Sequence, residues 1–355
     1  MNTDFFAHKL ISWYNRHKRD LPWRNTRNPY FIWLSEIILQ QTRVVQGLPY
    51  YQKFIENFPT VQDLAAADEK EVLRLWQGLG YYSRARNLHT TAKMVVSEFG
   101  GVFPDTYNEL LKLKGIGSYT AAAIASFSHD EKVAVLDGNV YRVLSRVFGV
   151  ETDIAGKDAK KVFGKLATEL LPDQQVSTYN QAIMEFGAIQ CTPGLPQCMF
   201  CTFSPECSAN ELGKQSMLPV KSKKVKVKER FFHYFILEKE GRFAMKERNG
   251  KDVWSGMYDF YLTEQESMQD LSVLAGNDTF IDALLRESTI SGESEKYLHI
   301  LTHQRITAQF WHIQINPGSK IELPENLKYY SLNEIDDLPK STLVNNYLKQ
   351  YFFEK

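Results

Sequence analysis

The sequence has no segment suited to a membrane or to an export signal. No apolar run approaches the roughly 18 residues needed to span a bilayer. The amino terminus, Met1–Leu10, contains Asp4 and His8 and has no uninterrupted apolar stretch, so we expect no signal peptide and a cytoplasmic protein. Because 43% of the 355 residues are hydrophobic, the composition and length indicate a globular protein of about two domains.

A net charge is also lacking, although the charges are distributed unevenly. Residues 1–228 contain 28 Lys and Arg residues and 22 Asp and Glu residues, whereas residues 229–355 contain 14 and 20. A basic half joined to an acidic half is typical of a DNA-binding domain with an appended module. Ordinary variation in composition would give the same split, so the charge alone does not decide the function.

Cysteine is scarce, and its only four copies lie close together. They follow the spacing Cys191-x6-Cys198-x2-Cys201-x5-Cys207. Four thiolates on short loops can converge on a zinc ion or on an iron–sulfur cluster. Zinc sites usually combine two close pairs, and here only Cys198 and Cys201 form one. The spacing therefore favours a cluster, with zinc as the structural alternative.

The spacing of apolar residues predicts two kinds of domain. Helical periodicity predicts the helices Asp4–His17, Tyr30–Gln41, Ser83–Phe99, Asp158–Leu171 and Val176–Ile189. After Lys228 the period changes to two, and the predicted strands are Phe231–Leu237, Arg242–Glu247, Val253–Leu262 and Tyr297–Ile315. The remaining predicted helices are Phe280–Arg286 and Ser341–Tyr351. We therefore predict a mainly α domain followed by an α+β domain.

The segment between the two predicted domains is basic. Residues 213–228 end in a stretch of alternating Val and Lys, which predicts a solvated tether or an edge strand. A contact to phosphate is the functional alternative for these lysines. We accordingly place the helical domain at 1–212, the linker at 213–228 and the α+β domain at 229–355.

Residues 113–124, LKGIGSYTAAAI, predict a hairpin between two helices. Gly115 and Gly117 permit a tight turn with exposed backbone amides, and the amino terminus of the following helix favours a phosphate. The segment resembles a helix–hairpin–helix, a motif that binds the DNA backbone. An ordinary corner between two helices is the alternative that a lone Gly-x-Gly does not exclude.

Two carboxylates follow motifs that suit chemistry. Asp137 ends the apolar run of residues 133–136 at the start of a predicted helix, where a carboxylate can accept the first free amides. Glu36 lies in the predicted helix Tyr30–Gln41, within the motif WLSEIILQQT at residues 33–42, with Ile32, Trp33 and Leu39 on the same face. Such neighbours raise the pKa of a carboxyl by desolvation, so that it can carry a proton near neutral pH. A core-edge Glu paired with an Arg is the structural alternative.

These motifs together resemble the MutY family of adenine DNA glycosylases, within the endonuclease III superfamily. The string SEIILQQT at residues 35–42, the 6-2-5 cysteine spacing, and a hairpin about 20 residues before Asp137 carry the resemblance. It implies a helix–hairpin–helix glycosylase fold with a 4Fe–4S cluster held by the four cysteines. It also implies that Glu36 is the general acid and that Asp137 stabilises the positive sugar, with Tyr119 and Asn139 supporting this geometry.

The resemblance implies further binding residues along the chain. The adenine pocket is expected to include Trp23, Arg24, Gln181 and Glu185, and Gln41 and Thr42 are also expected to bind the substrate. A segment GLGYYSR at residues 78–84 is similar to the family's duplex wedge, which implies that Leu79 and Tyr81 contact the DNA beside the lesion. Gly115 and Gly117 are expected to contact the backbone.

The carboxyl-terminal domain resembles the Nudix-like module of the same enzymes. The segment WSGMYDF at residues 254–260 is the clearest match, and no helix carries the clustered glutamates of a Nudix hydrolase. This favours a binding role over nucleotide hydrolysis. Thr302 and His303 lie where the family places its lesion-reading loop, although LTH stands here where the family often has FSH.

The expected substrate is double-stranded DNA with adenine opposite 8-oxoguanine or guanine, bound by a monomeric, nucleoid-associated enzyme. A bifunctional glycosylase/lyase like endonuclease III is the first alternative, but it needs a lysine where this chain has Tyr119. A non-catalytic, lesion-binding iron–sulfur protein is the second alternative. Such a protein would tolerate the loss of Glu36, whereas a glycosylase would not.

Overall fold

A computed structural model describes residues 3–222, 226–250, 252–324 and 326–353. Backbone contacts divide the chain into two units. The helical unit lies within residues 1–66 and 87–223, and the carboxyl-terminal unit lies within residues 67–86 and 224–355. This division differs from the predicted domain boundaries at residues 67–86, which the sequence placed in the helical domain.

The helical unit is built from helices that pack together through buried apolar side chains. The α-helices of residues 3–211, in chain order, are α1 Thr3–His17, α2 Pro29–Leu39, α3 Val44–Asn57, α4 Val61–Ala66, α5 Glu69–Leu75, α6 Ser83–Phe99, α7 Tyr107–Leu110, α8 Ser118–His129, α9 Gly138–Phe148, α10 Ala159–Glu169, α11 Val176–Glu185 and α12 Ser208–Glu211. Of these, α5 and the start of α6 lie in the carboxyl-terminal unit. Side chains of α1, α9 and α11 form much of the core, among them the fully buried Phe6, Leu144 and Ala182.

The predicted hairpin connects α7 to α8. Gly115 adopts φ +78°, a left-handed conformation that favours glycine, and an added Cβ would lie 2.8 Å from Cβ of Asn87. Gly117 precedes the first turn of α8 with extended backbone. The two glycines therefore have different roles, because only Gly115 is needed for the turn itself.

The carboxyl-terminal unit contains a mixed sheet. Its strands are β1 Lys228–Lys239, β2 Arg242–Glu247, β3 Tyr258–Asp259, β4 Tyr261–Gln265, β5 Ser288–Glu293, β6 Tyr297–Ile300, β7 Gln304–Ile315 and β8 Lys328–Tyr330. The long strands β1 and β7 run parallel, in a register that pairs Lys228 with Gln304. Strands β2 and β4 pair antiparallel with β1, and β5 and β6 pair antiparallel with β7. The helices of this unit, besides α5, are α13 Leu271–Asn277, α14 Thr279–Arg286, α15 Leu332–Asp337 and α16 Thr342–Leu348.

Two predicted strands are corrected by the structure. Residues 252–257 form a turn, so the strand predicted at Val253–Leu262 starts only at Tyr258. The strand predicted at Tyr297–Ile315 is interrupted by a turn at residues 301–303, which separates β6 from β7. Both turns lie within segments that the sequence analysis assigned to single strands, because a periodicity judged over a long window does not locate short breaks.

Other predictions need smaller corrections. The helix predicted at Val176–Ile189 changes from α to π geometry at Phe186–Gln190, just before the first cysteine. Of the predicted linker, residues 223–225 lie outside the described residues, and Lys228 already belongs to β1. Within the described ranges, every helix is too short or too polar to cross a membrane.

Candidate active site

The helical unit contains a cavity of about 590 Å³ that is lined by all four predicted catalytic residues. This volume is within the range of ~300–1,000 Å³ typical of ligand sites. The predicted site residues that line it come from five separate stretches of the chain, and they are Trp23, Arg24, Glu36, Thr42, Tyr119, Asp137, Asn139, Gln181 and Glu185.

Glu36 lies on the buried face of α2, as the apolar spacing of that helix predicts. The residue is only 8% exposed. The pKa of Glu36 is raised to about 7: burial raises it most, the Asp137 carboxylate also raises it, and Tyr119 and Arg24 act in the opposite direction. A carboxyl with this pKa is partly protonated at neutral pH and can donate a proton.

Tyr119 connects Glu36 to the helix that follows the hairpin. It lies in the first turn of α8, and its hydroxyl donates a hydrogen bond to Oε2 of Glu36 at 2.5 Å. Burial, with the carboxylates of Glu36 and Asp137, raises the pKa of Tyr119 well above its usual range. Tyr119 is therefore a neutral donor that fixes one oxygen of the acid and leaves the other oxygen available.

Asp137 is the amino-terminal cap of α9. Its Oδ1 accepts the backbone N–H of Val140 at 2.7 Å, and its Oδ2 accepts the side-chain amide of Asn139 at 2.6 Å. Burial raises the pKa of Asp137, while these two hydrogen bonds lower it. Asp137 accepts more hydrogen bonds than Glu36, so we expect Asp137 to lose its proton before Glu36 does.

Arg142 fixes Asn139 and the start of the cysteine loop together. Its guanidinium donates to Oδ1 of Asn139 at 2.7 Å, to the carbonyl of Gly187 at 2.6 Å and to the carbonyl of Cys191 at 2.7 Å. Gly187 lies against Asn139, where an added Cβ would come within 2.6 Å of Cβ of Asn139. The position of Asn139 therefore depends on the helix and loop that lead to the first cysteine.

Glu185 binds two arginines at the edge of the cavity. Arg19 donates to it through a fork of 2.8 Å and 2.6 Å, and Arg24 donates at 2.6 Å. Burial alone would raise the pKa of Glu185, but the hydrogen bonds from Arg19 and Arg24 lower it to about 2. Because both oxygens are occupied by guanidinium groups, Glu185 serves to orient Arg24 in this structure.

Trp23 and Gln181 complete this side of the cavity. Trp23 packs edge-on against Tyr51, with ring centroids 5.1 Å apart. Gln181 accepts a hydrogen bond from the hydroxyl of Tyr14 at 3.0 Å, and its amide donates to Ser177 at 3.2 Å. Both side chains therefore have fixed orientations before any ligand is bound.

Three predicted residues of the helical unit lie outside this cavity. Gln41 is exposed in the turn after α2, where it adopts φ +58°. Gly115 and Gly117 lie in the hairpin, as their proposed phosphate contacts require. Thr42, which follows Gln41 in the sequence, does line the cavity.

All four cysteines line one small cavity of about 20 Å³ near the end of α9. Their thiols are free. Burial raises the pKa of Cys201 to about 11, and the neighbouring thiols of the other three cysteines add to this effect. Arg146 approaches Sγ of Cys191 at 3.4 Å and donates to the carbonyl of Thr192 at 2.8 Å. Among the described residues, no three Cys, His, Asp or Glu side chains are placed to hold one ion.

The carboxyl-terminal unit has a second cavity, of about 760 Å³, which holds the other predicted site residues. One side is formed by residues 78–83, including Leu79 and Tyr81, and another by residues 299–304, including Thr302 and His303. The hydroxyls of Tyr81 and Thr302 are hydrogen-bonded to each other. The structure thus brings the predicted wedge and the predicted lesion-reading turn together.

Arg84 packs against the aromatic rings of Trp76 and Tyr81. Its guanidinium lies 5.0 Å from the ring centroid of Trp76 and 5.7 Å from that of Tyr81. Tyr81 itself adopts φ +49° and is 42% exposed. Burial lowers the pKa of Arg84 to about 10, so the cation stays charged at neutral pH and can stack on both rings.

Sequence reasoning missed several functional contacts. Arg19, Arg142 and Arg146 were not predicted as site residues, although each holds a predicted one. Their only sequence signal is a position within or near a motif, and an arginine there is usually a solvated side chain. Asp252 and Gln304 were also missed, because they border the second cavity through turns that periodicity did not reveal.

Comparison with known proteins agrees with these features. Residues 34–170 match the HhH-GPD superfamily base excision DNA repair proteins, and residues 233–350 match the NUDIX domain. The matches confirm the predicted helix–hairpin–helix fold and the Nudix-like carboxyl domain.

Individual proteins are similar over longer stretches. An adenine DNA glycosylase of Buchnera aphidicola subsp. Acyrthosiphon pisum (strain APS) is 34% identical, covering 73% of this chain and 75% of that relative. An adenine DNA glycosylase of Rattus norvegicus is 43% identical, covering 60% of this chain and 44% of that relative. The solved structure of a thermostable thymine-DNA glycosylase matches with a TM-score of 0.54 at 31% identity, over 59% of this chain and 97% of that one.

Proposed function

Because this chain belongs to the adenine DNA glycosylase family, we propose that its substrate is DNA in which adenine is mispaired with 8-oxoguanine or guanine. The chain is a base excision repair glycosylase, and the proposal concerns the mispair and the residues that act on it. The observation that carries it is the pair of the buried Glu36 and the half-buried Asp137, which both line a cavity of nucleobase-binding size.

Removal of adenine requires a proton on the leaving base. An adenine anion leaves poorly, whereas a purine protonated at N7 leaves as a neutral molecule. Glu36 is suited to supply this proton, because burial raises its pKa to about 7 and Tyr119 holds one of its oxygens. The same carboxylate can then accept a proton from the attacking water.

The deoxyribose becomes an oxocarbenium-like cation as the base departs. Asp137 is suited to stabilise this positive charge, because its two hydrogen bonds favour the ionised form and keep the carboxylate fixed at the start of α9. Asn139 and Arg142 hold that arrangement. The two carboxyls thus divide the chemistry, with one as acid and the other as electrostatic partner.

The adenine must leave the helix to reach this pair. Trp23 offers an aromatic wall, Gln181 offers amide hydrogen-bonding groups, and Arg24 is oriented by Glu185. These groups lie in the same cavity as Glu36 and are fixed by their own contacts. A flipped base would therefore enter a preorganised site.

Adenine is a normal base, so an enzyme that removes it must examine the opposite base. 8-Oxoguanine differs from guanine by a carbonyl at C8 and a hydrogen at N7. Thr302 and His303 are exposed at the tip of the turn between β6 and β7, and their side chains can both donate and accept hydrogen bonds. The hydrogen bond between Tyr81 and Thr302 supports this role, because it brings the turn next to the proposed wedge.

The cysteine loop is suited to a 4Fe–4S cluster. Four free thiols line one cavity, and four cysteine thiolates are the usual ligand set of a 4Fe–4S cluster. Cys191, Cys198, Cys201 and Cys207 would hold the cluster, which would fix the loop and supply no hydrolytic chemistry. Arg146 would offset the negative charge of the thiolates.

The experiment compares single-turnover excision on four duplexes, with adenine opposite 8-oxoguanine, guanine, cytosine or thymine. We expect the fastest excision opposite 8-oxoguanine and slower excision opposite guanine. Changing Thr302→Ala and His303→Ala together should lower that preference, because one or two hydrogen bonds contribute roughly 1–3 kcal/mol of discrimination. Equal rates on all four duplexes, or full preference in the double variant, would contradict the proposal.

A further inference from the structure

Backbone hydrogen bonds fix the two ends of the turn that carries Thr302 and His303. The N–H of Leu301 donates to the carbonyl of Gln304 at 2.8 Å, and the N–H of Lys228 donates to the carbonyl of His303 at 2.9 Å. Both tip side chains are exposed. Their placement therefore depends on the groups that hold Gln304 and the start of β1.

Arg230, near the start of β1, is the side chain that holds Gln304 at the foot of this turn. Its Nη1 donates to Oε1 of Gln304 at 3.0 Å and to Oδ1 of Asp252 at 3.1 Å. Its Nε and Nη2 form a fork to Glu264 at 2.8 Å and 2.6 Å. The side chain is only 11% exposed, and its guanidinium lies 4.6 Å from the ring centroid of Phe232.

These contacts join two rims of the second cavity. Gln304 borders the cavity beside the turn at residues 301–303, and Asp252 borders it from the turn at residues 252–257. Asp252 is itself held by Arg248, which also donates to Oδ2 of Asp259 at 2.7 Å. One guanidinium thus connects the lesion-reading turn to a buried ionic network.

We propose that Arg230 is a positioning residue for recognition of the base opposite the adenine, an inference that rests on the function proposed above. Arg230 does not line the cavity. It acts through Gln304 and Asp252, and thereby sets the distance between the turn and the opposite rim. A planar fork with fixed donors is suited to this task, since it holds three acceptors at defined angles.

The test replaces Arg230 with methionine in the full-length chain, which keeps a long side chain and removes all three contacts. The measured quantity is the ratio of single-turnover excision rates opposite 8-oxoguanine and opposite guanine. We expect this ratio to fall by about fivefold or more, the scale of one or two misplaced hydrogen bonds. An unchanged ratio would overturn the proposal.

Glu264→Gln is the matched control. It weakens the fork to Arg230 on the side away from the cavity and leaves the contacts of Arg230 to Gln304 and Asp252 in place. We expect Glu264→Gln to lower Tm while the ratio stays at the wild-type value. If Glu264→Gln lowered the ratio as much as Arg230→Met, Arg230 would have only a structural role, and the proposal would be wrong.

A third comparison separates this inference from its premise. If Arg230 acts through the turn, Arg230→Met should cause no further loss of the ratio in the Thr302→Ala/His303→Ala background. An additional loss there would overturn the positioning role. If the Thr302→Ala/His303→Ala variant kept the full preference for 8-oxoguanine, the proposed function of the turn and this inference would both fail. If that variant lost the preference while Arg230→Met kept it, only the role of Arg230 would be overturned.

Discussion

At the scale of single residues, the protonation of Glu36 should determine how excision depends on pH. The protonated form is the proposed acid, and burial raises its pKa to about 7. The rate should therefore be constant below that pH and fall above it, approaching about tenfold per pH unit. Single-turnover rates between about pH 6 and 9 measure this dependence.

Glu36→Gln is the control for that profile, because it keeps the shape and removes the proton. Its rate should be at least ~100-fold lower and should not follow the wild-type pH dependence. Binding to the mispair should persist. A wild-type rate that stayed level across the whole range would show that another group supplies the proton.

We expect the residue at position 119 to decide whether the DNA strand is cut after the base is removed. A lyase needs an amine to form a Schiff base with the sugar, and the wild-type chain has a phenol at this position. We expect little borohydride trapping by the wild type and clear trapping by Tyr119→Lys. Tyr119→Arg is the matched control, since it adds charge without a nucleophilic amine. Efficient trapping by the wild type would favour the bifunctional alternative.

At the scale of elements, the hairpin between α7 and α8 should tolerate alanine at one glycine and not at the other. Gly115 has φ +78° and would bring a Cβ within 2.8 Å of Asn87, whereas Gly117 has extended backbone and open space around it. Gly115→Ala should destabilise the fold by about 1–3 kcal/mol. Gly117→Ala should leave Tm nearly unchanged. Thermal unfolding of both variants checks this, and equal Tm values would contradict it.

The cysteine loop should carry iron and should influence the active site. Purified protein is expected to be brown and to contain about four irons per chain. Cys198→Ser should lower iron content, stability and DNA affinity, and it should also slow excision, because Arg142 bonds both Asn139 and the carbonyl of Cys191. Colourless protein with one zinc ion would support the alternative metal site.

At the scale of the whole molecule, deletion of residues 229–355 should affect more than the choice of opposite base. Segment 67–86 belongs to the carboxyl-terminal unit: Gln77 accepts the N–H of Lys340 at 3.1 Å, and Arg86 donates to the carbonyl of Ser255 at 2.5 Å. The fragment should therefore lose both 8-oxoguanine preference and thermal stability, while some excision opposite guanine persists. A fragment with wild-type Tm would show that segment 67–86 is stable without these contacts.

The sequence by itself determined the features that depend on short spacing. The neighbours of Glu36 on α2, the cap at Asp137 and the glycine turn at Gly115 are all encoded within a few residues, because helices, caps and turns form from local contacts. The resemblance to the adenine DNA glycosylases then implied a functional role for each of these residues. The turns at residues 252–257 and 301–303 were not predicted, because each lies within a segment that was assigned to one long strand.

Only the tertiary structure decided which distant side chains meet. Arg19 binds Glu185 across 166 residues of sequence, and Tyr81 meets Thr302 across 221. Segment 67–86 likewise packs with the carboxyl-terminal unit, from which it is distant in sequence. A side chain's partner at such separation depends on how whole elements pack, which local periodicity does not encode. Arg230 had no motif to mark it, and it gains its proposed role only because β1 lies parallel to β7 and brings Gln304 within its reach.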